Sequence, residues 1–236
     1  MAGDSSNGWS DRAELWAEHW TRLSAPARTA VADAVGIEPG TRLLDAGCGS
    51  GEFLALAARR GAVVSGIDAA EGMLALARRK VPGADLRHGD LLRLPYDDDA
   101  FEVATAFNAV QFAGDVARAV AELARVAGRV AICNWAEHSE LYALFEVLTE
   151  PAPAGVRAPG VLEDLMSAAG LRPELSADVA TPYRTPDLAA LVAALREGSG
   201  LEVTEDQVAA VASPYRRADG SYRFENRFRY VIATRG

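Results

Sequence analysis

Apolar and polar positions along the chain fall into two alternating rhythms. Short apolar runs that each stop at an acid, Leu43-Leu44-Asp45, Ala62-Val63-Val64-Ser65-Gly66-Ile67-Asp68 and Ala84-Asp85-Leu86-Arg87-His88-Gly89-Asp90, read as buried parallel strands. Between them, apolar residues recur every three to four positions, the period of a helix with one buried face. The pattern predicts helices over 10–23 and 25–35, then strands around Leu43, Val63, Leu86, Val103 to Phe107 and Val130 to Asn134, with helices between them and Glu122 to Val126 on the last of these. A helix over 160–169 leads to a sixth strand over 174–179. Residues 222–234 alternate large apolar with polar side chains and read as a half-exposed antiparallel closing strand. Strand and helix in strict alternation predict an α/β fold with a doubly wound, mostly parallel sheet, here as one domain over 1–236.

Segments 1–36, 137–159 and 186–213 stand outside that repeat. Ligands of doubly wound sheets lie beyond the carboxyl ends of the strands, so insertions there are expected to cover the ligand and set substrate choice. Pro151-Ala152-Pro153-Ala154-Gly155 is either a stiff lid hinge or a plain helix terminator.

The candidate chemistry begins at Asp45-Ala46-Gly47-Cys48-Gly49-Ser50-Gly51-Glu52, where a strand opens through alternating glycines into a helix. Alternate glycines leave no Cβ between backbone and ligand, and they reach turn dihedrals closed to other residues. The helix starting near Glu52 aims its positive end at the loop, which favours an anion such as a carboxylate. Asp68 ends the next strand a little over twenty positions after Asp45, the spacing at which a second carboxylate grips a ribose diol. Asp90 repeats the arrangement on a third strand.

From about Arg42 to Trp135 the chain resembles the class I S-adenosylmethionine-dependent methyltransferases, in the small-molecule branch whose first motif reads like Leu44-Asp45-Ala46-Gly47-Cys48-Gly49-Ser50-Gly51. The resemblance implies a Rossmann-like sheet with helical cap elements and S-adenosyl-L-methionine as cofactor. It places Gly47, Cys48, Gly49 and Gly51 under the methionine part and has Asp45 hold the loop and the ammonium. Asp68, with Ala69 beside it, takes the ribose hydroxyls; Asp90 accepts from the adenine amino group; the Leu91 amide donates to the ring. Met73 packs on the base, where a polarisable thioether suits the contact, and Phe107 completes the cofactor set. Plainer roles stay open: Asp45 as a turn residue, Asp68 as a helix N-cap, Met73 as core and Cys48 as a small filler.

Methyl transfer needs an acceptor aligned in line and shielded from water, and a general base only when the acceptor is protonated. Trp16, His19 and Trp20 are spaced for one helical face and form either an aromatic wall or the packing face of a helix. Asn108, Gln111 and Phe112 beside Phe107, together with Trp135, form the other expected wall. Many relatives carry a histidine about where this chain has Gln111, which removes a base at that point. The candidate bases are therefore His138, after the fifth strand, and His19; His88 reads as structural.

Composition narrows the rest. Of 236 residues half are hydrophobic, enough for a real core, and the net charge of −9 opposes tracking of nucleic-acid phosphates. Arg216, Arg217, Arg223, Arg227 and Arg229, interleaved with aromatics, read as the solvated face of a hairpin rather than an RNA or anion site. Two cysteines make no disulfide framework, the amino terminus is polar and acidic, and no apolar run approaches membrane-spanning length, so a cytoplasmic enzyme is expected, as monomer or homodimer with a small-molecule substrate, no nucleic-acid partner and no membrane. Asp97-Asp98-Asp99 has no second ligand cluster, and no metal is assigned. Two other classes share the loop. A nicotinamide oxidoreductase would need glycine or alanine where Leu54 stands, whereas a protein that binds the cofactor without transferring its methyl, as a cyclase or a regulatory module, would need no change.

Overall fold

The structure is a computed structural model that describes residues 5–149 and 155–236. The proline-rich turn proposed as a hinge lies mostly outside the described residues. Two short helices, α1 (Ser5–Asp11) and α2 (Ala13–Trp20), and a third, α3 (Ala25–Ala34), precede the sheet. There follow β1 (Arg42–Ala46), α4 (Glu52–Arg59), β2 (Val63–Asp68), α5 (Glu71–Lys80), β3 (Asp85–His88), β4 (Phe101–Phe107), α6 (Val116–Val126) and β5 (Ala127–Trp135). The remainder is α7 (Glu140–Leu148), α8 (Val161–Ala168), β6 (Leu171–Ala180), β7 (Tyr183–Thr185), α9 (Leu188–Ala193), α10 (Glu205–Ala212), β8 (Tyr222–Phe224) and β9 (Arg227–Arg235).

Seven strands form one sheet in the order β3-β2-β1-β4-β5-β9-β6. β1 to β5 run parallel, and β9 is antiparallel to both of its neighbours, the expected doubly wound architecture with an antiparallel closing strand. Two apolar layers flank it. Phe53, Leu54, Leu74, Val31 and Cys133 pack on one face with α3, α4 and α5; Val130, Ile132, Leu123, Leu162 and Met166 pack on the other with α6 and α8. Burial on both faces explains why the central strands read as continuous apolar runs rather than alternating ones.

The structure departs from the predicted elements in two places. The expected first helix breaks at Arg12, whose backbone leaves the helical region between α1 and α2. The expected closing strand is two strands: β8 pairs with β7 in a separate two-stranded sheet, while β9 joins the main one. Asn226 makes the break. It is buried, its Oδ1 accepts from Leu141 N at 2.9 Å, and its carbonyl accepts from Thr181 N at 2.8 Å. Periodicity shows which side chains face inward; it carries no trace of a backbone bent to satisfy a neighbouring helix.

Candidate active site

In-register pairing brings Asp45, Asp68 and His88 to the carboxyl edge of β1, β2 and β3, with Asp90 two residues past the end of β3. The loop after β1 is bound to the end of β2 throughout. Gly47 N and Cys48 N both donate to Ile67 O, at 2.7 and 3.0 Å. Gly49 N donates to Asp68 Oδ2 at 2.8 Å, and Ala70 N to Asp68 Oδ1 at 2.8 Å. Asp68 is thus an N-cap-like acceptor and the clasp of the glycine loop at once. Desolvation raises its pKa from the ordinary carboxylate value, against these backbone donors and His88.

The three glycines are glycine for different reasons. A Cβ on Gly47 would lie 2.3 Å from the Cβ of Ala109, and one on Gly51 would lie 3.0 Å from that of Ala77, so both serve close packing of the loop on the protein. Gly49 has φ +52°, and nothing stands within 4 Å of where its Cβ would be. That open side is where a ligand can lie on the backbone.

Asp45 sits beneath the loop, 2% exposed, and accepts from Thr105 Oγ1 at 2.7 Å. Burial raises its pKa to about 7, helped by the nearby Asp68 charge. Cys48 is buried and burial pushes its thiol well above the usual range, which fits a filler and not a nucleophile. Asp90 is exposed and closes a turn by accepting from Leu92 N at 2.9 Å, with Leu91 buried behind it. Ala69 lends its carbonyl to His88 Nε2 at 3.0 Å, so His88 ties the ends of β2 and β3 together. Met73 is 4% exposed and clusters with Ala13 and Ala70 beneath Trp9 and Trp16.

At the β4–β5 end the polar ties thin out and rings take over. Phe107 packs on Phe53 with centroids 4.5 Å apart. Asn108, at φ +48°, clamps the two strands: its N donates to Cys133 O at 2.8 Å and its Oδ1 accepts from Trp135 N at 3.2 Å. Trp135 stacks on Phe228 at 4.7 Å and reaches Tyr142 at 5.7 Å; the Arg157 guanidinium sits 3.7 Å over the Tyr142 ring. Phe112 is 58% exposed and meets Trp9, which in turn meets Trp16 edge to face at 6.2 Å. Gln111 buries its Oε1 without a hydrogen-bond partner.

Trp16, His19 and Trp20 do not share one space. Trp16 faces Trp9 and Met73, whereas Trp20 is buried between Phe145 and Tyr183. His19 lies 3.5 Å from Glu197 and lines a cleft with Arg22, Tyr183 and Arg184. The cause is that α2 packs between two neighbours, α5 and the segment 194–198, so its faces meet different partners. His138 is 89% exposed at its side chain, with only Glu137 nearby at 3.9 Å. Within the acidic run, Asp98 pairs with Arg125 at 2.8 Å and Asp99 with Arg235; among the described residues no group of three or more ligating side chains could hold a metal. In the carboxyl-terminal hairpin Arg229 pairs with Asp178 at 2.9 Å and Arg223 with Glu225 at 2.5 Å, while Tyr222, Phe224 and Phe228 are core.

Sequence reasoning missed Trp9, Thr105 and Arg28. Trp9 stands seven positions before Trp16, a helical signal that the break at Arg12 obscures. Arg28 lies on α3, where its guanidinium donates to Ser24 Oγ at 2.6 Å and to Thr21 O at 2.5 Å.

A doubly wound sheet with a glycine loop clasped by the acid of the next strand is an architecture that suits a nucleotide-like ligand. Residues 44–132 match the family model described as a methyltransferase domain. The chain is 40% identical over 88 residues to the malonyl-[acyl-carrier protein] O-methyltransferase of Serratia marcescens, covering 37% of this chain and 34% of that one. It is 34% identical over 139 residues to the demethylmenaquinone methyltransferase of Streptomyces avermitilis, covering 56% and 59%. Among solved structures, the [4+2]-cyclase SpnF superposes with a TM-score of 0.62 at 22% identity, over 89% of this chain and 79% of that one, a likeness of fold. Over the matched residues the chain is similar to the S-adenosylmethionine-dependent methyltransferases. It spans less than two thirds of the length of either of these curated relatives. Among the described residues no helix is long and apolar enough to cross a membrane.

Proposed function

We propose that the chain transfers a methyl group from S-adenosyl-L-methionine to an oxygen, nitrogen or carbon atom of a small organic acceptor. The observation that carries this reading is the clasp itself: Asp68 holds Gly49 N and Ala70 N while Gly49 presents an open backbone face. Residues present fit the cofactor. Asp68 keeps lone pairs for a ribose diol, and Asp90, exposed just past β3, is free to accept from the adenine amino group, while Met73 is buried among Ala13 and Ala70. The bound cofactor supplies a methyl already made electrophilic by the sulfonium charge.

The protein's own work is then alignment and exclusion of water. Trp9, Trp16, Phe112 and Trp135 offer ring faces to a flat acceptor. Gln111 Oε1 can accept a hydrogen bond from the acceptor but cannot take its proton away. His138 points into solvent, which favours transfer by proximity over transfer driven by that histidine. An aromatic or polyketide-like acceptor suits these walls. The test is incubation with methyl-labelled cofactor across panels of phenols, amines and activated carbon acids, read by mass spectrometry. Label in an acceptor with release of S-adenosylhomocysteine supports the reading. Tight binding of the cofactor with no labelled product across all panels would favour a binder that does not transfer.

A further inference from the structure

Three strands place a polar row at one level of the sheet. Asn134 of β5 lies opposite Arg229 of β9, which lies opposite Asp178 of β6. Val130 and Ile132 of β5 and Val231 and Ala233 of β9 pack on the α6 and α8 face, and at a period of two Asn134 and Arg229 continue that face toward the carboxyl edge of β5. The Arg229 charge is answered within the row, since its Nε donates to Asp178 Oδ1 at 2.9 Å. Alongside, Glu163 of α8 accepts at 2.7 Å from the Oγ of Ser176, two residues before Asp178.

Two members of this group are left unsatisfied. Asn134 is 1% exposed, and neither its Oδ1 nor its Nδ2 has a hydrogen-bond partner. Glu163 Oε2 is buried without a partner, and among the described residues no cation pairs with Glu163, because the neighbouring guanidinium pairs with Asp178. Gln111 Oε1, past the end of β4, is a further buried acceptor of the same kind. Unpaired buried polar atoms are unfavourable, and proteins hold few of them. Here the unpaired acceptors are Asn134 Oδ1, Glu163 Oε2 and Gln111 Oε1, against the single donor group Asn134 Nδ2, so their complement is a group rich in N–H.

We propose that the acceptor carries an amino group that docks between Asn134 and Glu163, as an anchor apart from the atom that receives the methyl. The inference rests on the methyl-transfer reading above and names its substrate class: an aromatic amine-bearing molecule, its ring on the aromatic wall and its ammonium on the polar row. An ammonium supplies three donors and no acceptor, and it brings the positive charge that Glu163 is without. The row is closed to solvent, so a small group enters it and a ring does not; the way in passes the turn at 155–157, which packs against β5. Asn134 and Trp135 are consecutive residues on opposite faces of β5, so a short alkyl chain between ring and amine spans them. An anionic group is disfavoured there, where two carboxylates, Glu163 and Asp178, stand against one guanidinium.

The probes that test this are tyramine, 4-ethylphenol and 3-(4-hydroxyphenyl)propionate, which share a phenol ring and end in an ammonium, a methyl and a carboxylate. Their affinities are measured by saturation-transfer NMR on wild type, Asn134→Leu and Glu163→Gln, each with saturating S-adenosylhomocysteine. Wild type should bind tyramine roughly tenfold more tightly than 4-ethylphenol, with the propionate weakest. Both variants should bring tyramine to within about twofold of 4-ethylphenol, with the affinity for S-adenosylhomocysteine unchanged. Equal affinity of wild type for tyramine and 4-ethylphenol, or no binding of either, overturns the proposal, and that comparison needs no variant. A tyramine preference that survives in both variants overturns it as well, as does a parallel loss of all three probes and of S-adenosylhomocysteine, which would mean a structural role. The reading beneath it fails separately: a wild-type protein that does not bind S-adenosylhomocysteine has no cofactor site, whatever the order of the probes.

Discussion

At the β1–β2 end of the sheet edge the polar atoms are bound to one another before any ligand arrives: Asp68 to two backbone amides, Asp45 to Thr105, the loop amides to Ile67 O. At the β4–β5 end the surfaces are rings, and Gln111 Oε1 is left buried with no partner. The first end is preorganised for one ligand by backbone geometry that tolerates few residues. The second is a ring-lined surface whose exposed members, such as Phe112, lie outside the sheet. A fixed cofactor with variable acceptors requires such a division, and substitutions at the two ends should behave differently.

The largest effect is expected at the clasp. Asp68→Ala removes both of its backbone bonds and the proposed ribose contacts, each charge-assisted bond worth about 1.5–3 kcal/mol. S-adenosylhomocysteine should bind at least roughly tenfold more weakly by calorimetry, with Asp68→Asn intermediate. An Asp68→Ala protein that melts normally and binds the product at wild-type strength would show that the clasp serves only the loop.

Asp45 comes next and brings a pH dependence. Its folded-state pKa is raised to about 7, so between the unfolded value near 4 and that point the folded protein holds a proton the unfolded chain has released. From this group, stability is full below about pH 4, falls as pH rises toward 7, and is flat above it, a loss on the order of 2–4 kcal/mol. Asp45→Asn should flatten this slope and raise the melting temperature of the ligand-free protein at pH 8, keeping an oxygen for Thr105. The cationic cofactor favours ionised Asp45, so wild-type affinity for it should rise from pH 6 to pH 8 while the variant's stays level. A melting curve for Asp45→Asn with the wild-type pH slope would place the slope elsewhere.

Much of the first end was legible in the sequence, and for a physical reason. A strand stopping at an acid and three glycines at alternate positions are local, since each follows from what one backbone segment can adopt. What could not be read there was non-local: that Gly47 is glycine because Ala109 lies against it, that Gly72 leaves room for the Ser10 backbone, that Glu52 pairs with Lys80 of α5. The second end was read less well because helical spacing says which residues share a face and not what that face meets. Trp16 and Trp20 share a helix yet face different partners, and Trp9, on the other side of a break, is the ring that reaches Phe112.

A moderate effect is therefore expected at Trp9. Trp9→Ala deletes two edge-to-face contacts worth about 0.5–1.5 kcal/mol each. Once an acceptor is known, its apparent KM should rise by about threefold to tenfold with S-adenosylhomocysteine affinity nearly unchanged, and Phe112→Ala should do the same. If either variant lowers kcat at saturating acceptor and leaves KM alone, the ring closes over the reacting centre and not over the acceptor's body.

The smallest effect belongs to His138. A histidine 89% exposed, with one carboxylate at 3.9 Å, is neither held at a fixed angle nor screened from water, and a base that removes a proton in step with transfer needs both. Single-turnover rates measured from pH 5.5 to 8.5 with saturating cofactor should be the same for His138→Ala and wild type within about twofold, because proximity does not depend on that ring. A base at this position would behave otherwise: its loss would lower the rate by about a hundredfold and remove the acidic limb of the profile, while cofactor binding stayed intact. That outcome would mean the loop after β5 folds inward when the acceptor binds, and the division between a preorganised cofactor end and a passive acceptor wall would have to be given up.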